Sequence, residues 1–147
     1  MKAIVVTENA APRFEEVADP PKPAEGYLLL RVRACGVCGS DIPRIFGNKA
    51  YFYPLIPGHE FSASVEDAAG SRRFSRGDAV APFPLIPDPT EALSEVGEYA
   101  LTSNYDYIGS RRDGAFAQLL WAPERNLIPV PEHVDPLHAA LTEPAAV

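Results

Sequence analysis

Proline occupies 16 of the 147 positions, and this constrains the chain more than any other feature. Each proline fixes φ, removes a backbone donor and breaks a helix interior. Spread along the chain, the prolines exclude long helices and favour short strands joined by loops. The strand signals agree. KAIVVT (Lys2–Thr7) is short and β-branched. In YLLLRVRAC (Tyr27–Cys35), Leu28, Leu30, Val32 and Ala34 fall on one face of a half-buried strand, after a proline-rich loop at Asp19–Gly26. Alternation returns at Phe61, Ala63 and Val65, and turns at Gly77-Asp78 and Asp113-Gly114 precede two further strands. NLIPVP reads as another short strand.

Helical signals are brief. GSDIPRIFGN fits one or two turns, capped by Ser40 or Asp41 and ended at Gly47; Asp135 and Pro136 mark the start of a last helix. Residues 84–110 carry no clear period. Many short strands and few short helices predict a mainly β domain, a partly closed barrel or sandwich. The length suits one domain.

A net charge of −7, with basic clusters only at SRRFSR and GSRRDG, argues against a nucleic-acid partner. No apolar run approaches the roughly 20 residues of a membrane span. Two cysteines make no disulfide framework, and the expected compartment is the reducing cytoplasm.

Those two cysteines stand in ACGVCGSD, at Cys35 and Cys38. The pair admits a redox site, half of a structural metal site, one ligand of a catalytic metal, or two small core residues. No parallel α/β pattern supports the redox form, and no second Cys or His pair supports the structural one. The other metal-capable groups are the His59-Glu60 pair in PGHEF and Glu143 in TEPAAV. A His beside a Glu is ordinarily a structural pair. Neighbours on an extended strand point oppositely, so both reach one metal only across a bend, which Pro57-Gly58 can supply.

CGVCGSD, PGHEFS, RGDAV, DGAFAQ and TEPAAV follow one another in the order and spacing of the zinc-dependent medium-chain dehydrogenases, which this sequence resembles over nearly its whole length. CGSDIPRIFGN, YFYPLIPGHEFS and YDYIGSRRDGAFA resemble most the polyol members, of the galactitol-1-phosphate 5-dehydrogenase kind. The resemblance implies a GroES-like, partly open β-barrel over residues 1–147. It implies a catalytic zinc held by Cys38, His59 and Glu60 or Glu143, with Ser40 relaying the alcohol proton and Cys35 in the core. The implied reaction oxidises a sugar alcohol or sugar-alcohol phosphate to a ketose, with hydride passing to NAD or NADP. Arg111 and Arg112 are candidates for meeting a substrate phosphate, although such a pair is more often a solvated turn. Arg72, Arg73, His133 and His138 read as structural or solvated, and Trp121 as core.

Two departures stand out. Many members hold a structural zinc on four cysteines in the lobe that corresponds to residues 84–107; here the four positions fall near Asp88, Glu91, Ser94 and Thr102. A hard, acidic loop does not suit a thiolate zinc, so the structural site is expected to be absent and the lobe mobile or differently packed. No GxGxxG turn occurs, so the nucleotide-binding Rossmann domain is expected to lie outside this chain, which would then be inactive alone and prone to association. Two other readings compete: a GroES-like binding module without metal, and a zinc-free reductase domain, against which Cys38, His59 and Glu143 speak.

Overall fold

The computed structural model describes residues 1–8, 11–23 and 25–146. Among the described residues nine strands form: β1 (Lys2–Val5), β2 (Arg13–Glu16), β3 (Tyr27–Cys35), β4 (Phe61–Asp67), β5 (Ala79–Pro82), β6 (Leu85–Pro87), β7 (Tyr105–Tyr107), β8 (Leu119–Pro123) and β9 (Leu127–Pro129). The helices are short: α1 (Asp41–Phe46), α2 (Ala92–Glu95), α3 (Pro136–Ala139) and α4 (Thr142–Ala146). The central sheet is antiparallel in the order β8-β3-β4-β5-β9, flanked by the hairpins β1-β2 and β6-β7. Two ends of the central sheet stay unjoined among the described residues, so the barrel is open, as the resemblance implied.

Leu28 and Leu30 of β3 meet Phe61, Ala63 and Val65 of β4, Val80, Leu120, Ala122 and Leu127 in one core. The alternation read in β3 holds only to Val32. A bulge between Val32 and Ala34 shifts the register, and Cys35 rather than Ala34 follows Val32 against the core. β4 is buried on both faces at its start, because Ser62 Oγ donates to the Pro136 carbonyl at 2.7 Å and brings α3 down on it. Asp135 caps α3 as expected, accepting from Leu137 N at 2.7 Å. Neither Ser40 nor Asp41 caps α1 with its side chain, which corrects that expectation. The strand β2 is exposed at every residue and gave no apolar signal to read. Arg73 is not simply solvated: it donates to the carbonyls of Leu127 and Glu124. Trp121 lies within β8, half-buried, its Nε1 donating to the Pro20 carbonyl.

The 56–58 segment is laced to the 113–116 turn. Ile56 N donates to Asp113 Oδ1, and Gly114, Ala115 and Phe116 donate to the carbonyls of Ile56, Gly58 and Pro57 at 2.7, 2.9 and 2.9 Å. Gly58 takes φ +97° and Gly109 φ +80°. Gly58, Gly109 and Gly114 cross so closely that a Cβ on Gly114 would collide with the Gly58 carbonyl oxygen and come 2.5 Å from Gly109 Cα. Backbone cannot yield as a flexible side chain does.

Gly114→Ala is therefore expected to cost more than about 3 kcal/mol or prevent folding. Gly39→Ala, with nothing within 4 Å of its new Cβ, should stay within about 0.5 kcal/mol. Urea denaturation of both variants checks this, and equal midpoints would refute the crossing as a constraint.

Candidate metal centre

The end of β3 and the start of β4 are antiparallel neighbours, with Cys35 opposite Phe61 and Ala34 opposite Ser62. The loop that leaves β3 therefore lies beside the residues that enter β4. Gly36 N donates to the Glu60 carbonyl at 2.7 Å and fixes that proximity. The left-handed Gly58 turns the backbone just before His59, so His59 and Glu60 do not diverge as neighbours on a strand would. Cys38, His59 and Glu60 each place one ligand atom within 4.8 Å of the others. His59 and Glu60 are buried and Cys38 half-buried.

Asp41 completes the cluster from behind. It is fully buried at the first position of α1. Its Oδ2 accepts from Cys38 N at 3.1 Å, and its Oδ1 lies 3.5 Å from His59 Nδ1. That separation is at the outer edge of hydrogen bonding, and neither atom has another hydrogen-bond partner. Burial alone would lower the His59 pKa, but the carboxylate of Asp41 and the neighbouring Cys38 outweigh it, and the net shift is upward. With Nδ1 facing Asp41, Nε2 is the ring's remaining ligand atom, the usual arrangement behind a metal-binding histidine. Sequence reading considered Asp41 only as a cap; its spacing of three from Cys38 was the available signal.

The donor set fits a zinc ion: one thiol, one imidazole and one carboxylate, with a position open. Gly36 makes room for it, since a Cβ there would come 2.5 Å from Glu60 Oε2. Cys35 does not join. Its Sγ donates to the Gly36 carbonyl, and burial pushes its thiol up to about 12, so it stays a protonated core residue.

Glu143, on α4, is not within that group of three. Its Oε1 accepts from the Tyr107 hydroxyl at 3.2 Å. The Tyr107 ring meets His59 edge-on, 5.6 Å between centroids. Burial, then the Glu143 carboxylate, push the phenol well above its ordinary range. Tyr107 lay in the stretch without periodicity, and nothing in the sequence marked it. Ser40 is exposed, and its Oγ accepts from Arg44 Nη1 at 2.9 Å. His133 and His138 are exposed.

The lobe is held by polar side chains at the four positions named above. Asp88 accepts from Thr90 N, Thr90 Oγ1 and Asn104 Nδ2; Glu91 accepts from Ser103 N and Asn104 N. Ser94 Oγ donates to the Asp88 carbonyl and Thr102 Oγ1 to that of Tyr99. These bonds hold both carboxylates below their ordinary range, the Thr90 hydroxyl leading for Asp88 and the Ser103 amide for Glu91. Beside the lobe, Arg111 stacks on Tyr105 and Tyr51, with its Cζ 4.3 and 5.1 Å from the ring centroids. Arg112 pairs instead with Asp106 at 3.3 Å.

This open antiparallel barrel, with its Cys, His and Glu gathered at the β3–β4 edge, belongs to the alcohol dehydrogenase GroES-like domain family, whose pattern it matches over residues 24–132. It is 38% identical over 149 residues to galactitol 1-phosphate 5-dehydrogenase of Escherichia coli K12, covering 100% of this chain and 43% of that protein. It is 34% identical to sorbitol dehydrogenase of Halalkalibacterium halodurans, over 99% of this chain and 43% of that protein. The crystal structure of galactitol-1-phosphate dehydrogenase from Escherichia coli superposes with a TM-score of 0.93 at 36% identity, covering 98% of this chain and 42% of that one. The chain thus spans less than half the length of these relatives.

Asp41→Asn is expected to weaken zinc binding about 10–100-fold by loosening the His59 ring. Competition against a chromogenic chelator measures it, and an unchanged affinity would remove Asp41 from the site.

Proposed function

We propose that this chain is the metal-binding catalytic domain of a zinc-dependent, NAD(P)-linked polyol dehydrogenase. The observation that carries the reading is the convergence of Cys38, His59 and Glu60 on one point, with buried Asp41 behind His59. These three side chains would hold the zinc, and Glu143 stands at the rim. Zinc bound there supplies Lewis-acid chemistry at an alcohol oxygen. A carboxylate in place of a second thiolate makes the site harder, which suits a polyhydroxy substrate.

The chain's own residues then have defined tasks. Asp41 fixes the His59 ring. Ser40 accepts the Arg44 N–H, which leaves its own hydroxyl hydrogen free to donate, so it can pass the substrate proton toward solvent. In this reading the nicotinamide is positioned by a Rossmann domain in the complete enzyme, residues 1–147 being the GroES-like half and inactive alone. In this reading the complete enzyme is cytoplasmic and open to homo-oligomer formation, while apolar surface left uncovered in the isolated chain invites association. Among the described residues, no helix is long and apolar enough to cross a membrane.

Relatives named for galactitol 1-phosphate and sorbitol support this substrate class. Arg111 suits the phosphate. It has no carboxylate within 4.0 Å among the described residues, its guanidinium carbon lies over the rings of two tyrosines, and it borders a cleft of ≈ 570 Å³ with Tyr51 and Tyr105. Tyr105 and Tyr107 are two apart on β7 and share a face, so this cleft lies along the strand from the metal-capable cluster.

Elemental analysis should find about one zinc per chain, and none in Cys38→Ser, because a structure-preserving hydroxyl cannot replace the thiolate. Full occupancy in that variant would sink the ligand assignment. In the complete enzyme, Arg111→Ala should raise KM for a phosphorylated polyol about 10-fold or more and leave the unphosphorylated polyol unchanged. An equal effect on both would remove the anion role.

A further inference from the structure

We propose that Tyr51 is a positioning residue for Arg111 and thereby sets the preference for a phosphorylated substrate. The inference rests on the anion role given to Arg111 above and adds to it what keeps the guanidinium in place. Tyr51 is 66% exposed, so its ring adds little to the core. Its backbone is nevertheless fixed. Beyond α1, Lys49 N donates to the Pro43 carbonyl at 3.2 Å and Ala50 N to the Tyr53 hydroxyl at 3.1 Å. Further on, Val6 and Leu55 exchange backbone hydrogen bonds of 2.8 and 3.0 Å. The 47–55 loop is thus held at both ends. It carries the Tyr51 ring to Arg111, with 5.1 Å from Cζ to the ring centroid.

The two arginines of the SRR turn have different partners. Arg112 pairs with Asp106 at 3.3 Å and donates to the Tyr27 hydroxyl. Arg111 has a weak polar hold: among the described residues it donates to the Tyr105 carbonyl at 3.4 Å, near the outer limit of a hydrogen bond. A guanidinium carries several N–H donors in one plane, so most of them stay open to the cleft that Arg111 lines with Tyr51 and Tyr105. The other charged groups of that cleft are engaged. Asp88 accepts from Thr90 and Asn104, Asp106 faces Arg112, and Arg125 donates to the Pro87 carbonyl. A contact with a ring confines a guanidinium without using a donor. A confined side chain loses less freedom when an anion arrives. Tyr105 gives the nearer ring, at 4.3 Å, and is fixed opposite Pro87 in the β6–β7 pairing. Tyr51 gives the second ring, from the loop that follows the helix carrying Asp41. Without that ring Arg111 has more orientations, and the phosphate must order it on binding. A polyol without phosphate is indifferent to the change.

The test compares galactitol 1-phosphate with galactitol as substrates of the complete enzyme. Tyr51→Leu should lower the ratio of kcat/KM, phosphorylated over unphosphorylated, about 2–5-fold, the size of an exposed cation–ring contact. The loss should fall in KM, since the phosphate is bound alike in the ground and transition states. Tyr51→Phe should keep the ratio, because it keeps the ring. In an Arg111→Ala background, Tyr51→Leu should lower the ratio no further. On residues 1–147 alone, inorganic phosphate titrated against the Arg111 Nε–H resonance should bind about 2–5-fold more weakly in Tyr51→Leu. An unaltered ratio or an unaltered phosphate affinity in Tyr51→Leu overturns the proposal. So does a further fall in the Arg111→Ala background, or a loss in Tyr51→Phe equal to that in Tyr51→Leu, either of which would mark a merely structural role. A ratio left intact by Arg111→Ala itself would instead overturn the anion reading beneath, and this inference with it.

Discussion

The contact on which the rest depends is the crossing of three backbones at Gly58, Gly109 and Gly114. Side chains are absent there because there is no room for one, even a methyl. The crossing locks the PGHE turn to the DG turn of the β7–β8 connection through the hydrogen bonds of Ile56, Pro57 and Gly58. It also sets φ at Gly58 in the left-handed region, which only glycine adopts at low cost. His59 and Glu60 emerge from that turn, so their common direction is a consequence of backbone packing. One constraint thereby serves both the fold and the donor cluster.

Around the cluster, burial and charge work against each other. His59, Glu60 and Asp41 are all removed from water, and a buried carboxylate costs free energy unless it is partnered. Asp41 is only partly satisfied: one oxygen accepts from Cys38 N, the other faces His59 at 3.5 Å and Arg44 at 3.8 Å. A buried polar pair left this incomplete is what a bound cation would resolve, since drawing on Nε2 strengthens the Nδ1–H that points at Asp41. The lobe shows the opposite economy. Its carboxylates, Asp88 and Glu91, are fully engaged by loop amides and hydroxyls, and they hold the 88–104 loop together by hydrogen bonds.

Much of the fold was legible because its signals are local. The alternation of β3 and β4, the glycine turns before β5 and β8, and Asp135-Pro136 at the start of α3 all appear where the residues put them. What escaped had no local pattern. Strand β2 is wholly exposed and pairs with β1 by backbone alone. The pair β6-β7 is made of two triplets, each too short for a period to show. The bulge in β3, which exchanges Ala34 for Cys35 at the core, follows from pairing with β4 and leaves no trace in the alternation of β3 itself.

The candidate site divides in the same way. Residue types in CGVCGSD, PGHEFS and TEPAAV mark Cys38, His59, Glu60 and Glu143 as metal-capable, and the resemblance implied a zinc held by Cys38, His59 and Glu60 or Glu143. Two assignments needed three dimensions. Asp41 reads as a helix cap, and only the closeness of α1 to the β3–β4 edge turns it inward to His59. Glu143 reads as metal-capable like Glu60, and only the fold brings it to the Tyr107 hydroxyl, 36 residues away in sequence. Sequence by itself determined the candidate donors, since chemistry resides in the side chain. Tertiary structure decided which of these side chains lie together, since distance between remote residues is set by packing.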